Sequence, residues 1–217
     1  MRQRLTLRFS LDSGSRDAGL DRSRDCPLVR AMPLISTYWL QPPACIEYDP
    51  RAAEVAQRIA ATLTAVLPMV TVEHIGSTAV PGCAGKGIVD LMVLYPDGQL
   101  EAVKQTLAAL GFQRQTVGHL FPESRPMRVG APKHKGQKFR LHVHVIAAGS
   151  TEAVALRYFR ERLRADPRTM AAYVARKQAI LATGVTDYQR YTRMKSRFVR
   201  KALSASGDPS AAPPLSD

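Results

Sequence analysis

The residues with the most chemistry to offer lie in one run, Glu73-His-Ile-Gly-Ser-Thr-Ala-Val-Pro-Gly-Cys-Ala-Gly-Lys-Gly-Ile-Val-Asp90. Gly76 lacks the Cβ that would keep an anion away from backbone N–H groups. Ser77 and Thr78 add hydroxyls, and Lys86 adds a mobile cation. Asp90 stands among Ile88, Val89, Leu91, Met92 and Val93, where an acid is costly to bury without a partner or a metal. A Gly-Ser turn followed by an acid on the next strand suits nucleotidyl transfer. The turn holds phosphates while acidic groups hold a divalent metal for in-line attack at phosphorus. Ser77, Lys86 and Asp90 are therefore the candidate catalytic residues. A phosphate-binding P-loop is excluded, because Val80 stands where its first Gly belongs and Gly87 where Ser or Thr should follow Lys86. A G-x-S-x-G nucleophile elbow is excluded as well, since Gly76 directly precedes Ser77.

A second constellation is Arg140-Leu-His-Val-His-Val145. Side chains alternate along a strand, so Arg140, His142 and His144 share one face and the aliphatic residues the other. Such a row suits phosphate or metal; the alternative is a strand with one solvated polar face. If Asp90 lies on a neighbouring strand, then Asp90, His142 and His144 form a metal site, with Mg²⁺ or Mn²⁺ expected ahead of Zn²⁺.

The third set is basic and helical: Arg157, Arg160 and Arg164, then Arg176 and Lys177, then Arg190, Arg193, Lys195 and Arg197. Lys177 and Lys195 fall on the apolar stripes of their helices, beside Tyr173 and Tyr191. They either snorkel past the rings or point into a shared anion pocket. The phosphate-binding set expected from these features is Gly76, Ser77, Thr78, Lys86, Arg140, Arg160, Lys177 and Lys195.

The elements that must position these groups are readable from about residue 49. Asp49-Pro50 is a cap-and-start signal for a helix with Val55, Ile59, Leu63 and Val66 at helical spacing. Strands follow at about 70–75 and 88–95, on either side of the glycine-rich run. A helix opened by Asp97 carries Leu100, Val103, Leu107 and Leu110 and ends at Gly111. Residues 112–148 read as two or three strands, the clearest at 138–146. From Ser150 the pattern is helical only: residues 151–165, a helix opened by Asp166-Pro167 and closed by Gly184, and a last helix with a capping box at Thr186 and Gln189. This order predicts an α+β fold, a mixed β-sheet with flanking helices and a helical C-terminal half. One domain is expected over residues 45–204, with a disordered leader at 1–44 and a loose tail at 205–217.

The chain has 217 residues, 45% of them hydrophobic, and lacks any apolar stretch of the roughly 20 residues a membrane helix needs. Its net charge is +13, distributed unevenly: −3 over residues 32–111, +6 over 112–149 and +9 over 150–204. The asymmetry points to a phosphate-rich partner, a nucleotide or other small phosphate-bearing molecule first and nucleic acid last, and no membrane. Three cysteines without a C-x-x-C pair make a disulfide framework or cysteine zinc site a poor fit, so a reducing cytoplasm is expected. Translation could begin at Met1 or Met32.

These motifs resemble the GrpB family of predicted nucleotidyltransferase-like proteins. The signature HIGSTAVPG-x-A-x-K-x-I-x-D is present as His74–Asp90, followed by Leu141-His-Val-His-Val145 and Phe159-Arg-Glu-Arg-Leu-Arg164. The pairs Tyr173/Lys177 and Tyr191/Lys195, with Phe198, complete the order, so the resemblance spans about residues 46–203. It implies a nucleotidyltransferase-type α+β fold and no single reaction. A related accessory module of some dephospho-CoA kinases points towards CoA-type nucleotides. Cys83, Gly85 and Gly87 depart from the family's Leu, Ala and Pro, which is expected to loosen the loop around Lys86. Met92 stands where a two-metal transferase carries a second carboxylate. Two readings follow: metal-dependent nucleotidyl or phosphoryl transfer, or a non-catalytic nucleotide- or CoA-binding domain.

Overall fold

The computed structural model describes residues 35–116 and 120–204. The elements are β1 (Ile35–Ser36), α1 (Arg51–Val66), β2 (Thr71–Ile75), a 3₁₀ turn at Ser77–Ala79, β3 (Ile88–Tyr95), α2 (Leu100–Ala109) and β4 (Gln113–Arg114). Then come β5 (Met127–His134), β6 (Gln137–Lys138), β7 (Arg140–Ala147), α3 (Thr151–Ala165), α4 (Pro167–Ala182) and α5 (Tyr188–Ser204). The sheet runs β1-β5-β7-β3-β2, with β4 and β6 also paired to β5. β3 and β7 are parallel; β2 pairs with β3, and β5 with β7, in antiparallel fashion. The sheet is mixed, as expected, and the helical part, expected as the C-terminal half, runs from Thr151 to Ser204, the last third of the described residues.

Alternation divides the sheet into two faces. Val89, Leu91 and Val93 of β3 and Leu141, Val143 and Val145 of β7 pack into the main core. Val55, Ile59 and Leu63 of α1 and Val103 and Leu107 of α2 supply the facing apolar stripes. On the opposite face Met92, Leu94 and Ile146 are covered by Ala153 and Leu156 of α3. The earlier half of that face, bearing Asp90, Arg140, His142 and His144, is left to polar chemistry. α3, α4 and α5 pack through Leu163, Tyr173 and Phe198 on Val80 and Cys83 of the glycine-rich loop, so the C-terminal half holds that loop against the sheet.

Local signals act where expected, with corrections. Asp49 Oδ1 accepts the Arg51 N–H at the start of α1, and Asp166 accepts from Arg168 at the start of α4. The cap of α5 is Asp187, whose Oδ1 accepts the Arg190 N–H, and not Thr186; a carboxylate there satisfies an orphan donor and also meets the positive helix end. The strand expected at 138–146 is split at Phe139, whose N–H donates to Pro132 O, between β6 and β7. The domain also begins earlier than residue 45. Ile35 and Ser36 pair with Pro132 and Ala131 of β5, and Ile35 joins the core. Residues 1–34 of the expected leader, including Met32, and the tail at 205–217 lie outside the described residues.

Candidate functional site

Parallel pairing of β3 with β7 places Asp90 opposite His142 and Met92 opposite His144. Asp90 Oδ1 lies 3.3 Å from His142 Nδ1 and 3.6 Å from His144 Nε2. One ligand atom from each of the three lies within 4.8 Å of the others. Burial alone would raise the Asp90 carboxyl, but hydrogen bonds and charge from the two imidazoles more than offset it and hold it well below the usual carboxylate range. Burial lowers His144.

Gly76 makes the close approach between turn and strand. Its φ is +74°, and a Cβ there would lie 2.5 Å from Asp90 Oδ2. Only glycine supplies both that conformation and that space. Gly87 also has a positive φ, +65°, which proline cannot adopt. The loop around Lys86, expected to be loose, is tied by reciprocal Ile46–Gly85 backbone hydrogen bonds of 2.7 and 2.9 Å.

The expected phosphate-binding residues divide into two groups. Lys86, Arg140 and Lys195 gather around Asp90. Lys86 Nζ stands 4.7 Å from the Tyr188 ring centroid and 5.8 Å from that of Tyr191. Burial, with the repulsion of Lys195, pushes its amine down to about 7. Burial likewise lowers Lys195, against the pull of Asp90. Among the described residues neither lysine amine has a hydrogen bond or an acidic partner within salt-bridge distance. Arg140 is 6% exposed, and its Nη2 donates to Lys86 O at 2.5 Å. Its Nη1 is buried with no well-formed hydrogen bond, as are the Tyr188 and Tyr191 hydroxyls, although the Arg140 guanidinium lies beside the Tyr38 and Tyr188 hydroxyls.

The other residues are engaged within the protein. Lys177, 1% exposed, donates to Ser77 Oγ (3.2 Å), Cys83 Sγ and Ala84 O, anchoring the loop from below. Thr78 Oγ1 donates to Ile88 O. Arg160 donates to Glu73 and to His74 O, and Arg157 joins it on Glu73, clamping α3 to β2.

Sequence reasoning missed several participants. The Tyr38 hydroxyl lies 2.9 Å from His142 Nε2. Arg125 Nη1 lies 3.2 Å from His144 Nδ1, and Arg125 also pairs with Glu152. A cavity of about 300 Å³ lined by Tyr38, Gln113, Arg114, His142 and Tyr188 opens beside the cluster. No local pattern marks Tyr38, Arg125 or Glu152, since each reaches the site through a contact distant in sequence.

A carboxylate with two imidazoles is a donor set suited to Zn²⁺ or Mn²⁺ more than to Mg²⁺. A ligating imidazole needs its second nitrogen to meet a hydrogen-bond acceptor. His142 satisfies this, because the Tyr38 hydroxyl can accept. His144 does not, because its second nitrogen faces a guanidinium. Asp90 and His142 fit a metal; the third ligand does not.

The fold and site define a class: an α+β domain with a mixed sheet and a helical C-terminal part, with one acid and two imidazoles under a basic, tyrosine-lined roof. A family model described as GrpB protein matches residues 42–205, and the chain belongs to the GrpB family. A UPF0157 protein of Streptomyces coelicolor is 32% identical over 166 residues, covering 74% of this chain and 82% of that one. A UPF0157 protein of Vibrio cholerae is 28% identical over 185 residues, or 85% and 93%. The crystal structure of conserved protein GrpB from Enterococcus faecalis has the same fold, with a TM-score of 0.57 at 23% identity, covering 76% of this chain and all of that one.

Proposed function

We propose that this protein binds a nucleotide or another small phosphate-bearing ligand on the polar half of the sheet face, under α5. One observation carries the reading. Arg140 Nη1 and the Tyr188 and Tyr191 hydroxyls are buried with no well-formed hydrogen bond, Arg140 lying beside the Tyr38 and Tyr188 hydroxyls and near the unpaired amines of Lys86 and Lys195. Buried donors are normally satisfied, and a group of them lacking acceptors suits an anion rich in acceptor oxygens. The adjacent cavity leaves room for a nucleoside.

Binding is favoured over turnover. Met92 is 0% exposed and sealed among Ile75, Leu94 and Ile146, so a second strand carboxylate is replaced by hydrocarbon. A bound divalent ion would supply charge neutralisation to the phosphate, with Asp90 and His142 as its holders. No step of the reading requires it. This supports the non-catalytic nucleotide- or CoA-binding alternative over two-metal transfer. The nucleic-acid reading is weakened because Arg157 and Arg160 are spent on Glu73 and Arg164 on Ala79 O. No described helix is long and apolar enough to cross a membrane. The free thiols of Cys45 and Cys83 suit a reducing cytoplasm.

The test is thermal unfolding of the full chain with pyrophosphate, ADP, ATP and CoA, each with and without EDTA. Stabilisation by at least one ligand, abolished by Lys86→Ala and retained in EDTA, is expected. Failure of the whole panel to stabilise the protein overturns the reading.

A further inference from the structure

Both ring nitrogens of His144 face fixed groups. Nδ1 lies 3.2 Å from Arg125 Nη1, and Nε2 lies 3.6 Å from Asp90 Oδ1. A guanidinium has N–H donors only and stays protonated in proteins. The Arg125 contact is therefore a hydrogen bond only when Nδ1 accepts. The single proton of the neutral ring is then on Nε2, directed at Asp90 and the polar face.

Arg125 is itself held on three sides. Its Nε donates to Glu152 Oε2 at 2.8 Å and its Nη2 pairs with Glu152 Oε1. Its guanidinium carbon lies 4.3 Å over the Phe121 ring, which stands edge-on to His144 with centroids 5.6 Å apart. Glu152 lies in the first turn of α3, where the positive helix end favours a carboxylate.

We propose that the Glu152–Arg125 pair is a tautomer lock, which keeps His144 as an Nε2–H donor towards an anionic ligand and withholds it from metal coordination. Coordination through Nε2 would leave the ring proton on Nδ1, pointing at a cation with no acceptor to offer. His142 is the contrast within the same site. Its Nε2 faces the Tyr38 hydroxyl, which donates or accepts as required and leaves Nδ1 open to either role. The cluster therefore offers two metal ligands, one short of the three protein ligands usual in catalytic zinc sites. Arg125 acts through His144 and is a positioning residue. The ligand part of this inference rests on the phosphate reading above; the tautomer and metal parts stand without it.

The experiment combines two measurements on metal-stripped full-length protein near pH 7.5. Ring ¹⁵N NMR, with His144→Ala for assignment, reads the tautomer, and calorimetric titration with Zn²⁺ reads metal affinity. The wild type should show His144 protonated at Nε2 and pyridine-like at Nδ1. Arg125→Met should mix the tautomers and raise Zn²⁺ affinity about tenfold or more, a gain that His144→Ala removes. If circular dichroism shows Arg125→Met unfolded, Glu152→Gln loosens the same guanidinium while keeping its bulk and should move both readouts in the same direction. An Nδ1–H tautomer in the wild type overturns the proposal. So does His144-dependent Zn²⁺ binding that neither variant strengthens. Pyrophosphate titrations of the same samples separate the two readings: absence of pyrophosphate binding counts against the ligand reading and leaves the ring and zinc results to decide the lock.

Discussion

At the scale of single residues, the site is a balance between one acid and several cations that lack acids of their own. Asp90 is matched by two imidazoles, whereas Lys86 lies against aromatic rings with Lys195 and Arg140 nearby. An amine pushed to about 7 is half charged at neutral pH, and an anion binds the charged form. Free Lys86 gives up its proton as pH rises through 7, while a bound phosphate would hold that proton. Pyrophosphate affinity should therefore fall above pH 7, by up to about tenfold per unit for this one proton. Lys86→Arg keeps its charge throughout and should flatten the profile over pH 7–9. Titration calorimetry of both proteins checks this. A wild-type profile as flat as that of the variant would remove Lys86 from the ligand's contacts.

At the scale of elements, the turn carrying Ser77 is stapled to both strands that flank it. Thr78 Oγ1 donates its only proton to Ile88 O, so His74 Nε2–H must be the donor in its 3.0 Å contact with Thr78. Burial, helped by the charges of Arg164 and Arg160 and opposed by Asp90, pushes His74 down to about 4. The unfolded chain takes up a proton near 6.5, which the folded protein refuses until about 4. Stability from this group is thus complete above 6.5 and lost as pH falls towards 4, by at most about 3 kcal/mol. His74→Gln retains a donor without titrating. Urea unfolding at pH 7 and pH 5 should show a smaller acid loss in the variant than in the wild type; equal losses would rule out a desolvated His74.

Element order was legible in the sequence where each element carries its own pattern. The aliphatic stripes of α1 and α2, the cap-then-Pro starts of α1 and α4 and the apolar run of β3 are local signals, and their bounds fall within a few residues of expectation. The Asp90–His142 apposition was readable as a condition only, because register between strands this far apart in sequence is set by the folded sheet. Lys177 on its apolar stripe was open between two readings, and its three acceptors show it working as a loop anchor. Arg125 and Glu152 gave no signal, since a loop residue and a helix-start residue meet only when α3 docks on the sheet.

At the scale of the whole molecule, the sheet's far edge is closed by a strand of two residues, too short to show a period. Ile35 gains its place wholly from a distant partner. It pairs with Pro132, and its side chain fills the space over Gly130, where a Cβ would lie 2.5 Å from Ile35 Cγ2. Three residues on, Tyr38 N–H donates to Gln113 Oε1, and the Tyr38 hydroxyl reaches His142. The segment thus links core packing at the sheet edge to the imidazole in the candidate site. Ile35→Ala removes a buried side chain and leaves Gly130 covered on one side only, by Phe112, which should cost about 2–4 kcal/mol. Tyr38→Phe keeps the ring and loses one hydrogen bond at a partly exposed position, for about 1 kcal/mol. If the edge strand holds Tyr38 in place, Ile35→Ala should also weaken pyrophosphate binding at a temperature where the variant is still folded. Denaturant midpoints and calorimetry on the two variants decide the matter. An Ile35→Ala protein that unfolds at the wild-type midpoint would show that β1 adds nothing to the core. One that is destabilised yet binds pyrophosphate normally would show that edge and site are energetically separate.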